Sequence, residues 1–243
     1  MLSILPNWRV TYSGLGKLDM FKKYFKSVNI NHSYKSVYSV GSFNTYSTYQ
    51  EYMNGIGFIQ DVTTGSPVPS SMFDISAVSI NEQFSPLIGV DVTLLNNMTA
   101  KVEYKKSRVM NLSMSAVQLV ETNSDDFVVG VGYKMTNVKL FGVGKRPTTG
   151  GGKGRVSNDL NLRADFSWRD QSALCRNIQD ITTQATSGNK AIKMSLSADY
   201  TFSRMLTLNA YFDHQTNIPV VSASSYPTST NDFGISLKFA LTR

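Results

Sequence analysis

The sequence predicts an all-β chain of about nine up-and-down antiparallel strands, of the kind that builds a transmembrane β-barrel. Three observations carry this. First, apolar and polar residues alternate over segments that reach or exceed the ~9–11 residues a tilted strand needs to cross a bilayer, whereas globular strands usually run about 5–6. Second, the connections alternate in kind. Tight turns at Asn96 and Ser203 fall on one side, and polar stretches at Gly41, Glu121, Asp170 and Asn217 fall on the other. Short periplasmic turns and longer external loops are the barrel rule, and only the connection 136–158 breaks it. Third, Tyr104, Phe127, Tyr133, Trp168, Tyr200, Phe202 and Phe212 sit near strand ends on the apolar parity, as interfacial girdles do. A soluble β-sandwich also alternates and is the competing architecture.

The chain has 243 residues, 41% hydrophobic and 17% charged, enough for one large β domain or two small ones. No apolar run approaches the ~20 residues of a spanning helix. Met1 to Leu5 is too short for the core of a signal peptide, and Pro6, Asn7 and Arg9 follow at once. Cys175 is the only cysteine, which excludes an internal disulfide and a cysteine-rich metal site.

Trp8, Val10 and Tyr12 alternate with Arg9 and Thr11 as a short strand ended by Gly14 and Gly16. The stretch 15–26 sets Leu15, Leu18, Met20, Phe21, Tyr24 and Phe25 against Lys17, Lys22, Lys23 and Lys26, a short basic amphipathic helix. One reading is a connector capping a core. The other places Lys22, Lys23 and Lys26 at a periplasmic interface on anionic headgroups. Val28 to Val40 is the next strand, with Val28, Ile30, Tyr34, Tyr38 and Val40 on one parity. The polar stretch 41–72 reads as a long external loop with room for its own hairpin.

Phe73 to Leu95 is a strand interrupted at Pro86, where the missing N–H calls for a bulge or break. The hairpin that follows fixes the facing. Ile88, Val90, Val92 and Leu94 share one parity, and Ala100, Val102 and Tyr104 share one on the second arm. Asp91 opposes the first set, and Lys101 and Glu103 the second. Cross-strand partners must lie on one face. Pairing Leu94 with Ala100 and Leu95 with Thr99 satisfies this and leaves Asn96-Asn97-Met98 as a three-residue loop, with Asn tolerating the left-handed position. Thr99 to Val117 is strand-like, and 118–126, with Asn123-Ser124-Asp125-Asp126, reads as an external loop.

Phe127 to Met135 alternates again, and 137–158 is a long periplasmic loop. Leu160, Leu162, Ala164, Phe166 and Trp168 then alternate with Asp159, Asn161, Arg163 and Asp165, and 171–189 reads as an external loop. Ile192, Met194, Leu196, Ala198, Tyr200 and Phe202 alternate with Lys193, Ser197 and Asp199. A second three-residue turn at Ser203-Arg204-Met205 follows by parity. Leu206, Leu208, Ala210 and Phe212 alternate with Asn209, and 217–231 is the last external loop. Phe233, Ile235, Leu237, Phe239 and Leu241, with Lys238 between them, close the chain.

The alternation divides the side chains into two expected sets. Asp91, Lys101, Glu103, Asp159, Arg163, Asp165, Lys193, Asp199, Asn209 and Lys238 would face a watery lumen. Ile88, Val90, Val92, Val102, Tyr104, Leu162, Trp168, Leu196, Tyr200, Leu208, Leu237 and Phe239 would face lipid or a partner. Lys106 and Arg108 resist, because they share the parity of Tyr104. Either a bulge turns the facing there, or the strand has left the bilayer, or it faces another protein.

The net charge of +7 alone suggests nucleic acid or an anionic surface, and its distribution decides. The expected external side carries Glu51, Asp61, Glu121, Asp125, Asp126 and Asp180 against Arg176. The opposite side carries Lys17, Lys22, Lys23, Lys26, Lys145, Arg146, Lys153, Arg155 and Arg204. A one-sided basic rim fits membrane lipids of an anionic leaflet, not a nucleic-acid groove with interleaved stacking aromatics.

Catalytic and metal signals are weak. Gly152-Lys153 lacks the following Ser or Thr of a phosphate loop and its strand–loop–helix setting. His32 and His214 stand apart on apolar parities, and metal sites want clustered ligands. Asn97-Met98-Thr99 matches a glycosylation pattern inside a tight turn. No cofactor is expected.

Three stretches carry a family likeness: Leu5-Pro-Asn-Trp-Arg-Val-Thr-Tyr-Ser-Gly-Leu15, Asp159-Leu-Asn-Leu-Arg-Ala-Asp-Phe-Ser-Trp-Arg-Asp170, and Ser225-Tyr-Pro-Thr-Ser-Thr-Asn-Asp-Phe-Gly-Ile-Ser-Leu-Lys-Phe239 with Ala-Leu-Thr after it. Together they resemble the C-terminal end of the SprA/Sov family, the outer-membrane translocon of the type IX secretion system of Bacteroidota, over nearly the whole chain. The resemblance implies the last strands of one much larger outer-membrane barrel; the turn and charge distribution puts the C-terminus on the periplasmic side. The resemblance also implies export of folded cargo proteins carrying C-terminal sorting domains, as in gliding motility and cell-surface protein export. The implied partners are a PorV-type barrel and a plug protein, without enzymatic activity. An odd strand count, the missing export signal and a start in mid-pattern agree with a fragment. The ending Leu241-Thr242-Arg243 departs from the terminal aromatic usual for barrel assembly. The other function class is a small outer-membrane barrel acting as a porin or lipid-modifying enzyme, for which His214 is the only candidate base.

Overall fold

A computed structural model describes residues 6–136, 138, 158–180, 182–202, 206–221 and 225–240. The chain is all-β. Nine antiparallel strands form one sheet: β1 (Trp8–Tyr12), β2 (Phe25–Thr45), β6 (Phe73–Leu94), β7 (Met98–Ser113), β8 (Gln118–Met135), β9 (Leu160–Asn177), β10 (Thr183–Thr201), β11 (Leu206–Pro219) and β12 (Thr228–Phe239), each beside the next in that order. A second, three-stranded sheet of β3 (Gln50–Met53), β4 (Ile56–Gln60) and β5 (Pro67–Ser70) fills the connection between β2 and β6. Among the described residues the large sheet is not closed: β1 and β12 each lack a partner on one side.

The expected strands are present, and several are longer than their sequence signals. The stretch 118–126 is not a loop but the first half of β8, and 171–189 is strand except around the turn after Asn177. The turn residues Asn123, Ser124, Asp125 and Asp126 stay in the ladder because the carboxylates find cross-strand partners. Asp125 takes the Tyr104 hydroxyl and Lys106, and Asp126 takes Arg169. The β7–β8 turn is Met114 to Val117, with no Gly, Pro, Asn or Asp, so composition could not mark it. Likewise β11 and β12 cover both ends of 217–231. In 41–72, β2 runs on to Thr45, and the Asn54-Gly55 dipeptide, both at positive φ, turns the β3–β4 hairpin as such pairs do.

The first hairpin keeps its predicted facing but not its predicted register. Val92 pairs with Ala100 and Thr93 with Thr99, so the three-residue loop is Leu95-Asn96-Asn97. A shift of two leaves every face unchanged. Asn97 takes the left-handed position at φ 65°. The bulge expected at Pro86 is present: Ser85, Pro86 and Leu87 lie opposite Lys105 alone. The expected helix over 15–26 is shorter, a 3-10 turn Gly14–Lys17 and α1 (Asp19–Lys22). Lys22 ends α1 and Lys23 caps it, but Lys26 already lies in β2, at a bulge. The turn Ser203-Arg204-Met205 and nearly all of 137–158 lie outside the described residues, as do Lys145, Arg146, Lys153, Arg155 and Arg204.

Candidate functional site: an apolar band and a polar wall

The sheet is one layer with almost no core. Among described residues only Val28, Tyr34, Ala173 and Tyr200 are buried apolar side chains, while Phe233, Ile235, Leu237 and Phe239 on the last strand are 63–80% exposed. A domain ordinarily packs such a sheet against a second layer; among the described residues no second layer packs across either face, and the 3-10 turn Gly14–Lys17 lies against β2 beside Val28.

The register shows that the alternation holds across all nine strands. One row reads Val28, Val92, Ala100, Val131, Ala164, Leu196, Phe212, Phe233. The row above it holds Tyr12, Ile30, Val90, Val102, Val129, Phe166 and Met194, and then His214 and Asn231. The next holds Ile88, Tyr104, Phe127, Trp168 and Ile192. Below lie Leu162 with Tyr133 and Ala198, then Tyr200 with Leu160, Leu208 and Leu237, and finally Leu206 with Phe239. All residues of the expected lipid- or partner-facing set therefore share one face. Ala164, Ala198 and Ala210 leave a shallow apolar concavity of about 450 Å³ on it, walled by Tyr133, Leu162, Leu196 and Phe212.

The expected lumen-facing residues share the other face. Asp91, Lys101, Gly130, Asp165, Ser195, Asp213 and Asp232 form one row, and Glu103, Val128, Ser167 and Lys193 lie above it. Arg163 opposes Gly132 and Ser197, Asp199 opposes Asn161 and Asn209, and Lys238 opposes Thr207. Short polar links tie this wall across strands. Asn31 donates to Asp91 at 2.7 Å, Asn209 donates to Asp199 at 2.7 Å, and Lys134 pairs with Asp159 at 3.3 Å. Glu103 takes Lys101 at 2.9 Å and Lys105 at 3.0 Å. Gly130 and Gly132 keep a trough open along β8, because an added Cβ would stand 2.6 Å from the Asp165 carboxylate and 2.7 Å from the Thr99 hydroxyl. Lys105, Asp126 and Arg169 extend this wall, and the sequence reading had not singled them out for it. Their shared parity was the available signal.

The apolar face has sharp margins. On β7 to β10 it ends at Tyr104, Phe127, Trp168 and Ile192, and the next row is Lys106, Asp125, Asp170, Lys190. On β1, β2 and β6 apolar character persists one row higher, at Trp8, Tyr34 and Phe84, whose rings pack at 4.5 and 4.8 Å. On β11 and β12 it stops two rows lower, at Phe212 and Phe233, and His214 donates to Asn231 at 2.6 Å just above. The lower margin slopes the same way, from Leu94 and Met98 through Leu160 to Phe239. β7 pairs with β8 without a shift from Met98 to Ser113, so no bulge in β7 turns Lys106 and Arg108 away. They stay on the apolar side, paired with Asp125 at 3.7 Å and Glu121 at 2.8 Å. The Asn123 amide and then Arg108 hold the Glu121 carboxyl below the usual glutamate value.

At the lower end, Lys17, Lys22 and Lys23 stand among exposed Leu18, Met20 and Tyr24, with the Lys23 ammonium 5.7 Å from the Tyr24 ring centre. Tyr24 accepts from Leu95, so α1 and the first hairpin turn share this end. Among the described residues no three His, Cys, Asp or Glu converge as metal ligands. His214 donates through Nδ1 to Asn231 at 2.6 Å, and its Nε2 lies 3.2 Å from the Thr216 hydroxyl, which is itself 3.3 Å from that of Ser229. No family model matches the sequence, and no curated protein matches it.

Proposed function

We propose that this sheet is a segment of the wall of an outer-membrane β-barrel, its apolar band against lipid or a partner and its polar wall against the lumen. The uncovered, sharply bounded apolar band carries the reading. On β9 the band runs from Leu160 to Trp168, about 27 Å along the strand and about 22 Å high at a 35° tilt, close to the ~25 Å apolar belt of such barrels. The slope of its upper margin points the same way. It falls three rows, or six residues, from β1 to β12, which is roughly 20 Å down in roughly 38 Å across, an incline of about 28°. Strands tilted against a level membrane produce such an oblique band, and barrel strands tilt by about 35–45°. A sandwich layer has no reason to carry an oblique band bounded by charge and aromatic rings. Membrane lipids are then the first partner, with Lys22 and Lys23 at the periplasmic headgroups and the C-terminus periplasmic.

Nine open strands leave two unpaired edges, which hydrocarbon cannot satisfy, so further strands complete the barrel. This weighs against a small closed porin within the described residues. The likeness to the SprA/Sov translocon supports the specific reading: part of a protein-conducting channel that exports folded cargo with C-terminal sorting domains, with a PorV-type barrel and a plug as partners and no catalysis of its own. Deleting the gene and returning it with the trough filled, as Gly130→Trp, tests this. The reading predicts that assembly persists while surface display of sorting-domain cargo falls several-fold. Unchanged display after complete deletion contradicts it.

A further inference from the structure

The apolar parity does not end at the charged belt. Two rows above Tyr104, polar side chains still fill the outer face, with Glu82, Arg108, Asn123 and Ser172 in line. Above these the face turns apolar again. One row reads Tyr38, Ile80, Met110, Glu121 and Leu174, and the next Val40, Val78, Leu112, Leu119 and Arg176, so eight of ten positions are apolar and the two charges lie on β8 and β9. Tyr38 is 52% exposed and Val40 39%, and the other apolar residues are half-buried only by their sheet neighbours. Six residues of strand separate Tyr104 from Met110, so the patch stands about 20 Å beyond the aromatic row along the strand and about 16 Å higher at a 35° tilt, out of reach of hydrocarbon. The opposite face at the same level carries Ser39 bonded to Ser79 at 2.6 Å, with Asn111, Val120 and Cys175 continuing the row.

We propose that this upper patch docks an integral membrane neighbour that rises above the bilayer beside the sheet. The inference rests on the membrane reading and names a partner surface for it. Area and continuity select the occupant. The patch spans five strands and two rows, roughly 300 Å², well under the ~800 Å² that each side of a stable interface usually contributes. A soluble protein resting there alone has too little to hold. A neighbour standing in the same membrane adds the apolar band directly below, on the same face. The belt between offers both signs, Lys106 and Arg108 beside Asp125 and Glu82, for rim pairing.

A benzophenone amino acid placed at Met110, Leu112, Val102 or Asn111 of the full-length protein in living cells tests this. Met110 and Leu112 should each cross-link the same identified protein, one that resists alkaline carbonate extraction; Asn111, on the other face, should not. Leu112→Glu and Met110→Glu should each cut that product at least tenfold with the sheet still assembled. A soluble protein, a second copy of this chain, or no product at Met110 and Leu112 while Val102 still reacts with lipid would overturn the docking surface alone. Reaction of Val102 with neither lipid nor a membrane protein would overturn the membrane reading as well.

Discussion

Val117 holds φ at 49° in the β7–β8 turn, a left-handed position that a β-branched residue occupies at a cost. Asn97 holds φ at 65° in the opposite turn, where its side chain tolerates the conformation. Val117→Asn should therefore stabilise the sheet by about 1 kcal/mol, read as a shift of the denaturant midpoint. Glu121 supplies a pH signature. Its folded carboxyl lies below the ordinary value of 4.5, so its stabilising contribution is complete above that value and is lost as pH falls through the lowered folded value. Proteolysis of the upper sheet should accelerate below about pH 4.5 in the wild type, and Glu121→Gln should flatten that part of the profile.

Within a single strand, neighbouring residues answer to different surroundings. On β10, Leu196 lies near the middle of the apolar band and Ser197 lies opposite Arg163 on the polar wall. Leu196→Arg should cost roughly 2–4 kcal/mol and reduce assembly, whereas Ser197→Arg should leave assembly nearly intact and alter passage through the lumen. Heat-modifiability on gels separates the two. Elements were legible in proportion to how locally they are caused. Alternation is a property of each strand, so Phe127–Met135 and Leu160–Trp168 could be read directly. Strand ends depend on partners. Asp125 and Asp126 read as a turn because Lys106 and Arg169, which hold them in the ladder, are distant in sequence. The hairpin register slipped by two because parity alone cannot distinguish registers that differ by an even number.

At the scale of the molecule, the two faces and their margins are properties of nine strands in register, and no single segment contains them. The sequence made the faces legible. The oblique band became visible only once Trp8, Trp168 and Phe233 were placed on their rows. The same holds for Lys106 and Arg108, whose parity was readable but whose height above the aromatic row was not. On the proposed reading one face meets the bilayer and the other meets water. A cysteine scan of the full-length protein, with Cys175→Ser as background, tests it most directly. Val92, Val102, Leu162, Leu196, Leu208 and Leu237 should react with a bilayer-dissolved reagent or be masked by a membrane partner, and should resist an aqueous one. Asp91, Lys101, Arg163, Ser197, Asn209 and Lys238 should do the reverse. Aqueous reactivity at both sets alike, without the two-residue period, would contradict it.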